Sequence, residues 1–172
     1  MEEDVQWLNP QEIRAWLNLA GLIESLPQLL SAQLKKEASM NNFDYMVLAG
    51  LSESPNRTIG MSDLAAFAAG SLSRLSHALT KMETKGWVRR QLLAQDGRQT
   101  EVVLTDEGMD AVELAAPVYV RLVRALFIDR LGSTQALEFG RLADLMLTEV
   151  NPQGRRMITE RYGQKSSPEG RE

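Results

Sequence analysis

The sequence predicts a mainly α-helical chain broken once, near its middle, by a small β-hairpin, with long helices on either side. Three observations predict it. Apolar residues recur at helical spacing over about 10–36 and again over about 106–150. Two short helical segments, about 61–69 and 71–85, meet at Gly70. Directly after them, two strand-like runs at 87–93 and 100–104 flank the pair Asp96-Gly97, a hairpin signal.

The elements follow in order. Asn9 stands as an N-cap, Pro10 at the first helical position and Glu12 where it can reach back to the cap, so a helix starts at residue 10 and runs to about Lys36. Its apolar positions, Ile13, Trp16, Leu17, Ala20, Ile23, Leu30 and Leu34, form a stripe wide enough to be buried against more than one partner, and Pro27 predicts a kink. A second helix is expected from Phe43 to about Ser52, closed by the turn residues Ser54-Pro55-Asn56. Beyond the hairpin, Thr105 caps a helix from Asp106 to about Arg130, with Pro117 as a second kink, and Gly132-Ser133 separates a last helix from Thr134 to about Val150. Residues 1–9 read as an N-terminal extension, 10–150 as a single domain, and 151–172, polar and rich in Gly, Pro, Ser and charge, as a flexible C-terminal tail.

Composition narrows the function classes. With 172 residues, 44% hydrophobic and 24% charged, the chain has the size and balance of one folded domain. No apolar run approaches the ~18 residues that cross a bilayer, and the opening MEEDVQW is acidic where a secretory signal is basic, so a cytoplasmic protein without membrane contact is expected. The absence of cysteine excludes disulfides, thiolate metal sites and cysteine chemistry, and the only histidine, His77, cannot form a metal site by pairing. No Gly-rich phosphate loop or nucleophile-base pair is present, so neither an enzyme nor a cofactor or metal is expected.

A net charge of −4 by itself argues against a nucleic-acid binder, but its distribution does not. Residues 71–100 carry Arg74, Lys81, Lys85, Arg89, Arg90 and Arg98 against Glu83 and Asp96, a local +4 that leaves −8 elsewhere. Helix, tight corner, helix and hairpin is the order of a winged helix-turn-helix, here at 58–105, whose second helix enters the DNA major groove. In that helix Leu72, Leu75, Leu79 and Met82 fall within roughly 80° of one another, opposite an arc of Ser73, Arg74, His77, Thr80 and Lys81. The DNA-binding candidates are therefore Ser71, at a helix N-terminus that favours phosphate; Ser73, Ser76 and Thr80, short enough for close approach; Arg74, His77 and Lys81, which can donate to base edges or phosphate; and Arg89, Arg90 and Arg98 on the hairpin. Arg98 is expected at the tip, placed for a minor groove, with Asp96 orienting it. An amphipathic helix alone is an ordinary solvated helix, and Arg89 and Arg90 alone could simply guard a strand edge. The combination carries the reading, beside the alternative of a winged helix that binds only protein.

The segment from Met61 to Gly108 closely resembles the winged-helix core of MarR-type regulators. It shows Leu64-Ala65 in the first short helix, the serine-rich helix from Ser71 to Lys81, the junction from Met82 to Val88, the Asp96-Gly97-Arg98 wing, and the exit from Val102 to Gly108. Met82 replaces the usual leucine, His77 stands where many relatives carry arginine, and the absent cysteine gives no support to the peroxide-sensing branch. The resemblance extends over about 10–150. It implies a homodimer interlocked through 10–37 and 106–150 that holds two heads one DNA turn apart on a pseudo-palindromic operator of double-stranded DNA. It further implies a transcriptional regulator, a repressor in the first instance, released by a small aromatic ligand between the dimerisation helices and the head. Trp16, Tyr45 and Met46 are the candidates for lining that cleft, though such residues on helices are more often core.

Overall fold

The computed structural model describes residues 5–93 and 96–163, and the side chains of all of these except Leu93 and residues 96–99. Helix α1 (Pro10–Ala38) starts at the expected capping box: the Asn9 side chain accepts from the Gln11 and Glu12 amides while Glu12 accepts from the Asn9 amide at 2.8 Å. It continues through Pro27 in one helical run. Helix α2 (Asn42–Ser52) opens on a second capping box, between Asn41 and Asp44, and is the most completely buried helix, with Phe43, Tyr45, Val47, Leu48 and Leu51 in the core.

A short strand β1 (Thr58–Gly60) leads into α3 (Met61–Phe67) and α4 (Leu72–Thr84), followed by β2 (Val88–Leu93) and β3 (Asp96–Leu104). The sheet is antiparallel with order β1-β3-β2, so the expected two-stranded wing has a third strand along its inner edge. β3 is also longer than expected. Leu93 pairs with Asp96 and Leu92 with Thr100, so Gly97, Arg98 and Gln99 bulge from the ladder, and the Asp96-Gly97 pair belongs to the strand rather than to the turn.

The corner between α3 and α4 also differs in detail. The left-handed residue is Ala69, at φ 51°, and Gly70 is required for another reason: a Cβ there would lie 2.4 Å from the Phe43 ring. The corner is thus wedged against α2 by an aromatic ring.

Thr105 caps α5 (Asp106–Val123) as expected, its hydroxyl accepting from the Gly108 amide. A π-type stretch at 124–128 joins it to α6 (Asp129–Val150), and Gly132, at φ 73° and ψ 161°, breaks the helical geometry where Gly132-Ser133 was expected to separate two helices. The expectation of a flexible tail is corrected over Pro152–Tyr162, which form helix α7 packed on α3. Asn151-Pro152 is a helix start of the same kind as Asn9-Pro10, the Asn151 side chain accepting from the Gly154 amide. Residues 164–172 lie outside the described residues.

The core joins α2, α3, α4, the sheet, α5 and the C-terminal end of α1 around Leu34, Leu48, Leu64, Leu79 and Val102, each with 0% exposure. The first two-thirds of α1 and most of α6 lie outside it.

Candidate nucleic-acid interface

Helix α4 is held by one face. Leu75, Ala78, Leu79 and Met82 are buried, whereas Leu72, expected on the same face, is 53% exposed because it lies in the first turn, beyond the edge of the core. The helix starts at Ser71, whose hydroxyl accepts from the Arg74 amide at 3.1 Å, so that side chain caps the helix. Ser73, Arg74, His77 and Lys81 stand on the exposed side, spread along the roughly 12 Å that eight residues of helix cover.

The predicted cations separate into those that are held and those that are not. The Arg90 guanidinium turns onto α4. It donates to Glu83 Oε2 at 2.6 Å and Oε1 at 3.0 Å, to Thr80 Oγ1 at 3.0 Å and to Ser76 Oγ at 3.4 Å. The paired side chains are about a third exposed. Their contacts hold the Glu83 carboxyl below its ordinary pKa, mainly through the hydrogen bond from Arg90, and raise that of Arg90. Thr80 in turn donates to the Ser76 carbonyl at 3.1 Å. Ser76, Thr80 and Arg90 are therefore brought together, but as a clasp between β2 and α4.

Arg89 points from the other face of β2, because successive strand side chains alternate, and its guanidinium donates to Gln91 at 2.5 Å. The two neighbouring arginines thus do not form one surface. Lys85 donates to the Ser39 carbonyl at 3.2 Å and sits over the Trp87 ring. Arg74 lies over the Phe43 ring, 4.2 Å from its centroid, on the exposed side. No carboxylate pairs with Arg74, Lys81 or Arg89 among the described residues. Arg98 has its backbone in β3, within the bulge at the turn end of the hairpin, and its side chain lies outside the described residues.

The sequence reading named Phe43 as a helix start and Glu83 as a charge but gave neither a part in the site. Glu83 stood in plain view as the only acid inside the basic helix, and its position seven residues before Arg90 was the available signal.

Trp16, Tyr45 and Met46 are not gathered into one cleft. Tyr45 is buried and stacks on Tyr119 at 4.3 Å, Tyr119 contacts the Met46 sulfur, and Trp16 lies 54% exposed on α1. Burial, with Tyr119 and Glu53 nearby, pushes the Tyr45 hydroxyl up to about 12. A separate apolar cavity of about 620 Å³ opens between α1 and the α5–α6 region, lined by Leu22, Leu26, Leu30, Tyr119, Phe127 and Phe139 among others. Among the described residues no cluster of His, Cys, Asp or Glu could hold a metal ion, and no helix is long and apolar enough to cross a membrane.

The MarR family model matches residues 40–100, which contain α2 and most of the winged region. Two solved structures from Streptomyces coelicolor are similar over most of their length. Sco3205, a MarR family transcriptional regulator in complex with DNA, is 34% identical, with a TM-score of 0.79 over 84% of this chain and 91% of that one. AbsC, another MarR family transcriptional regulator, is 32% identical, with a TM-score of 0.79 over 86% and 99%. The transcriptional regulator BldR from Sulfolobus solfataricus, at 21% identity and a TM-score of 0.71 over 82% and 99%, shares the fold. No curated protein matches.

Proposed function

The chain belongs to the MarR family of transcriptional regulators, and from that premise we infer that it binds double-stranded DNA in a sequence-specific way as a homodimer, with α4 in the major groove. One observation carries the reading: Ser73, Arg74, His77 and Lys81 stand together on the open side of a helix whose other side is locked into the core. Arg74 and Lys81 supply donors for guanine edges or phosphate, and Ser73 and His77 can make shorter contacts. Arg89 and Arg98 on the wing are assigned to the DNA backbone or minor groove. Ser71 acts through the helix start it caps, and Ser76, Thr80 and Arg90 through the shape of the head.

The proposal of a homodimer rests on apolar surface. Ile13, Trp16, Leu17 and Ile23 on α1 and Leu137, Leu142, Leu145 and Met146 on α6 are all at least 43% exposed, an apolar extent that soluble monomers rarely display. A two-fold dimer would place two heads on a pseudo-palindromic operator, where occupancy excludes the transcription machinery and gives repression. The cavity against Tyr119 has the size and lining of a small-molecule site, so release by an apolar or aromatic ligand is part of the proposal. Such a regulator works in the cytoplasm by binding, with no catalytic step.

Binding to the duplex upstream of its own gene tests the reading. Affinity is expected to fall steeply as salt rises, and Arg98→Ala to weaken it several-fold. Salt-independent binding together with an unchanged Arg98→Ala protein would show that the head does not read DNA, and would favour the protein-binding winged helix.

A further inference from the structure

Helix α7 does more than cover a gap. Asn151 closes α6 through its amide, which donates to the Leu147 carbonyl at 3.0 Å, and starts α7 through its side-chain oxygen. Its side-chain nitrogen donates to the Ala66 carbonyl at 2.9 Å, in the last turn of α3. One residue therefore ties three helices, its backbone to α6 and its side chain to α7 and α3. Further along α7, Gln153 donates to Asp63 at 2.7 Å, Arg156 pairs with the same carboxylate at 3.5 Å, and Arg161 reaches Ser54 at 2.6 Å while lying over the Phe67 ring. On the other side Arg155 pairs with Asp144 of α6 at 2.7 Å. Gly154 permits the approach, since a Cβ there would lie 2.6 Å from the Ala66 carbonyl oxygen and 2.3 Å from the Asn151 side chain.

Next to this junction α6 meets the head across an open cleft of about 630 Å³, lined by Gly70, Ser71 and Arg74 on one wall and Leu147 and Val150 on the other. Direct packing between α6 and the start of α4 is thus replaced by a polar connection through α7.

We propose that α7 is a strap that fixes the reading head against α6, with Asn151 as its positioning residue, and so sets the separation between the two heads of the dimer. The proposal rests on the DNA-binding dimer inferred above. α6 carries the exposed apolar face assigned to the dimer, α3 and α4 carry the reading face, and α7 bridges the two. A head held on both sides accepts one spacing of half-sites, and a head held only through α2 and α5 accepts several.

The test uses the full chain, a duplex that the native protein selects from a random-sequence pool, and versions of it with half-sites moved by one and two base pairs. The native protein is expected to lose tenfold or more on respacing. Gly154→Leu, which forces α7 from α3, is expected to bind the selected duplex several-fold more weakly yet lose less than threefold on respacing, with light scattering still reporting a dimer. A loss on respacing equal to that of the native protein overturns the strap, because a general loss of stability would lower affinity for all spacings alike. Amide exchange of the free proteins gives an arm independent of DNA: exchange over 61–70 should rise tenfold or more in Gly154→Leu with α5 unchanged, and equal exchange overturns the proposal. The double variant Gln153→Ala, Arg161→Ala adds no bulk, should move both readouts in the same direction to a smaller extent, and decides the question if Gly154→Leu does not fold. A native protein that selects no duplex defeats the DNA-binding reading itself, and the exchange arm then judges the strap alone.

Discussion

Arg90 and Lys81 are both cations of the basic segment, but they are expected to fail differently when removed. Lys81 has no carboxylate partner among the described residues and stands on the open side of α4. Lys81→Ala should weaken DNA binding and lower the slope of log K against log salt by about 1, the signature of a lost phosphate contact. Arg90→Ala should weaken binding with the slope unchanged, because its guanidinium is spent on Glu83, Thr80 and Ser76. A slope that falls by about 1 in Arg90→Ala would return this arginine to the DNA surface. The clasp also has a pH sign. Because the Glu83 carboxyl is held below its ordinary value, its contribution is complete above that value and is lost as pH falls through the lowered one. Thermal unfolding of the native protein should therefore lose stability at acid pH more steeply than that of Glu83→Gln. The sequence marked every one of these charges and none of their partners. Arg89 and Arg90 were read together as hairpin cations, whereas strand alternation turns them to opposite faces, and which of the two meets α4 is decided by Val88, buried on the same side as Arg90.

At the scale of elements, legibility followed the length of the pattern. α1, α2, α4 and α5 carry caps and several turns of periodic apolar residues; the first three form where expected to within a few residues, and α5 starts where expected but gives way after Val123 to the π-type stretch rather than running to about Arg130. β1 has three residues, too few for alternation to register, and exists because the inner edge of β3 pairs with it. α7 was hidden by context: Asn151-Pro152 carries the signal that correctly placed α1, but the polar sequence after it has no apolar stripe, because α7 is held mainly by hydrogen bonds and ion pairs. The α3–α4 corner falls at the expected position, and the structure supplies the reason for its glycine. The two helices were expected to meet at Gly70, and there Ala69 adopts the left-handed conformation while Gly70 makes room for Phe43. Gly70→Ala should therefore destabilise the protein by about 1–3 kcal/mol through overpacking. Ala69→Gly should be neutral or stabilising by up to about 1 kcal/mol, since glycine tolerates positive φ without steric cost. Urea unfolding of the two variants checks this, and a reversed order of stability would mean that Gly70 carries the turn.

The whole molecule is built with its cohesion on one side. The core lies around the head and α5, while α1 and α6 hold large apolar side chains in the open, Leu17 at 61% and Leu137 at 77% exposure among them. Full burial of one such side chain contributes about 1.5–3 kcal/mol, so a face of eight could support a lasting dimer even after the cost of association. The consequence for DNA follows from linkage. Two heads joined in one body bind their half-sites with an effective concentration that a free head does not enjoy, typically a gain of about 10²–10⁴ in affinity. Leu17→Asp combined with Leu142→Asp places a charge on both exposed faces without touching the core or the reading helix. It is expected to give a folded monomer by light scattering, with far-ultraviolet dichroism close to native. Affinity for a two-half-site duplex should drop by about a hundredfold or more, and the salt slope should fall to about half, since one head contacts about half the phosphates. A variant that remains dimeric would place the interface elsewhere on the molecule. A monomer that kept native affinity would mean that one head suffices, and that the spacing held by α7 has no part in recognition.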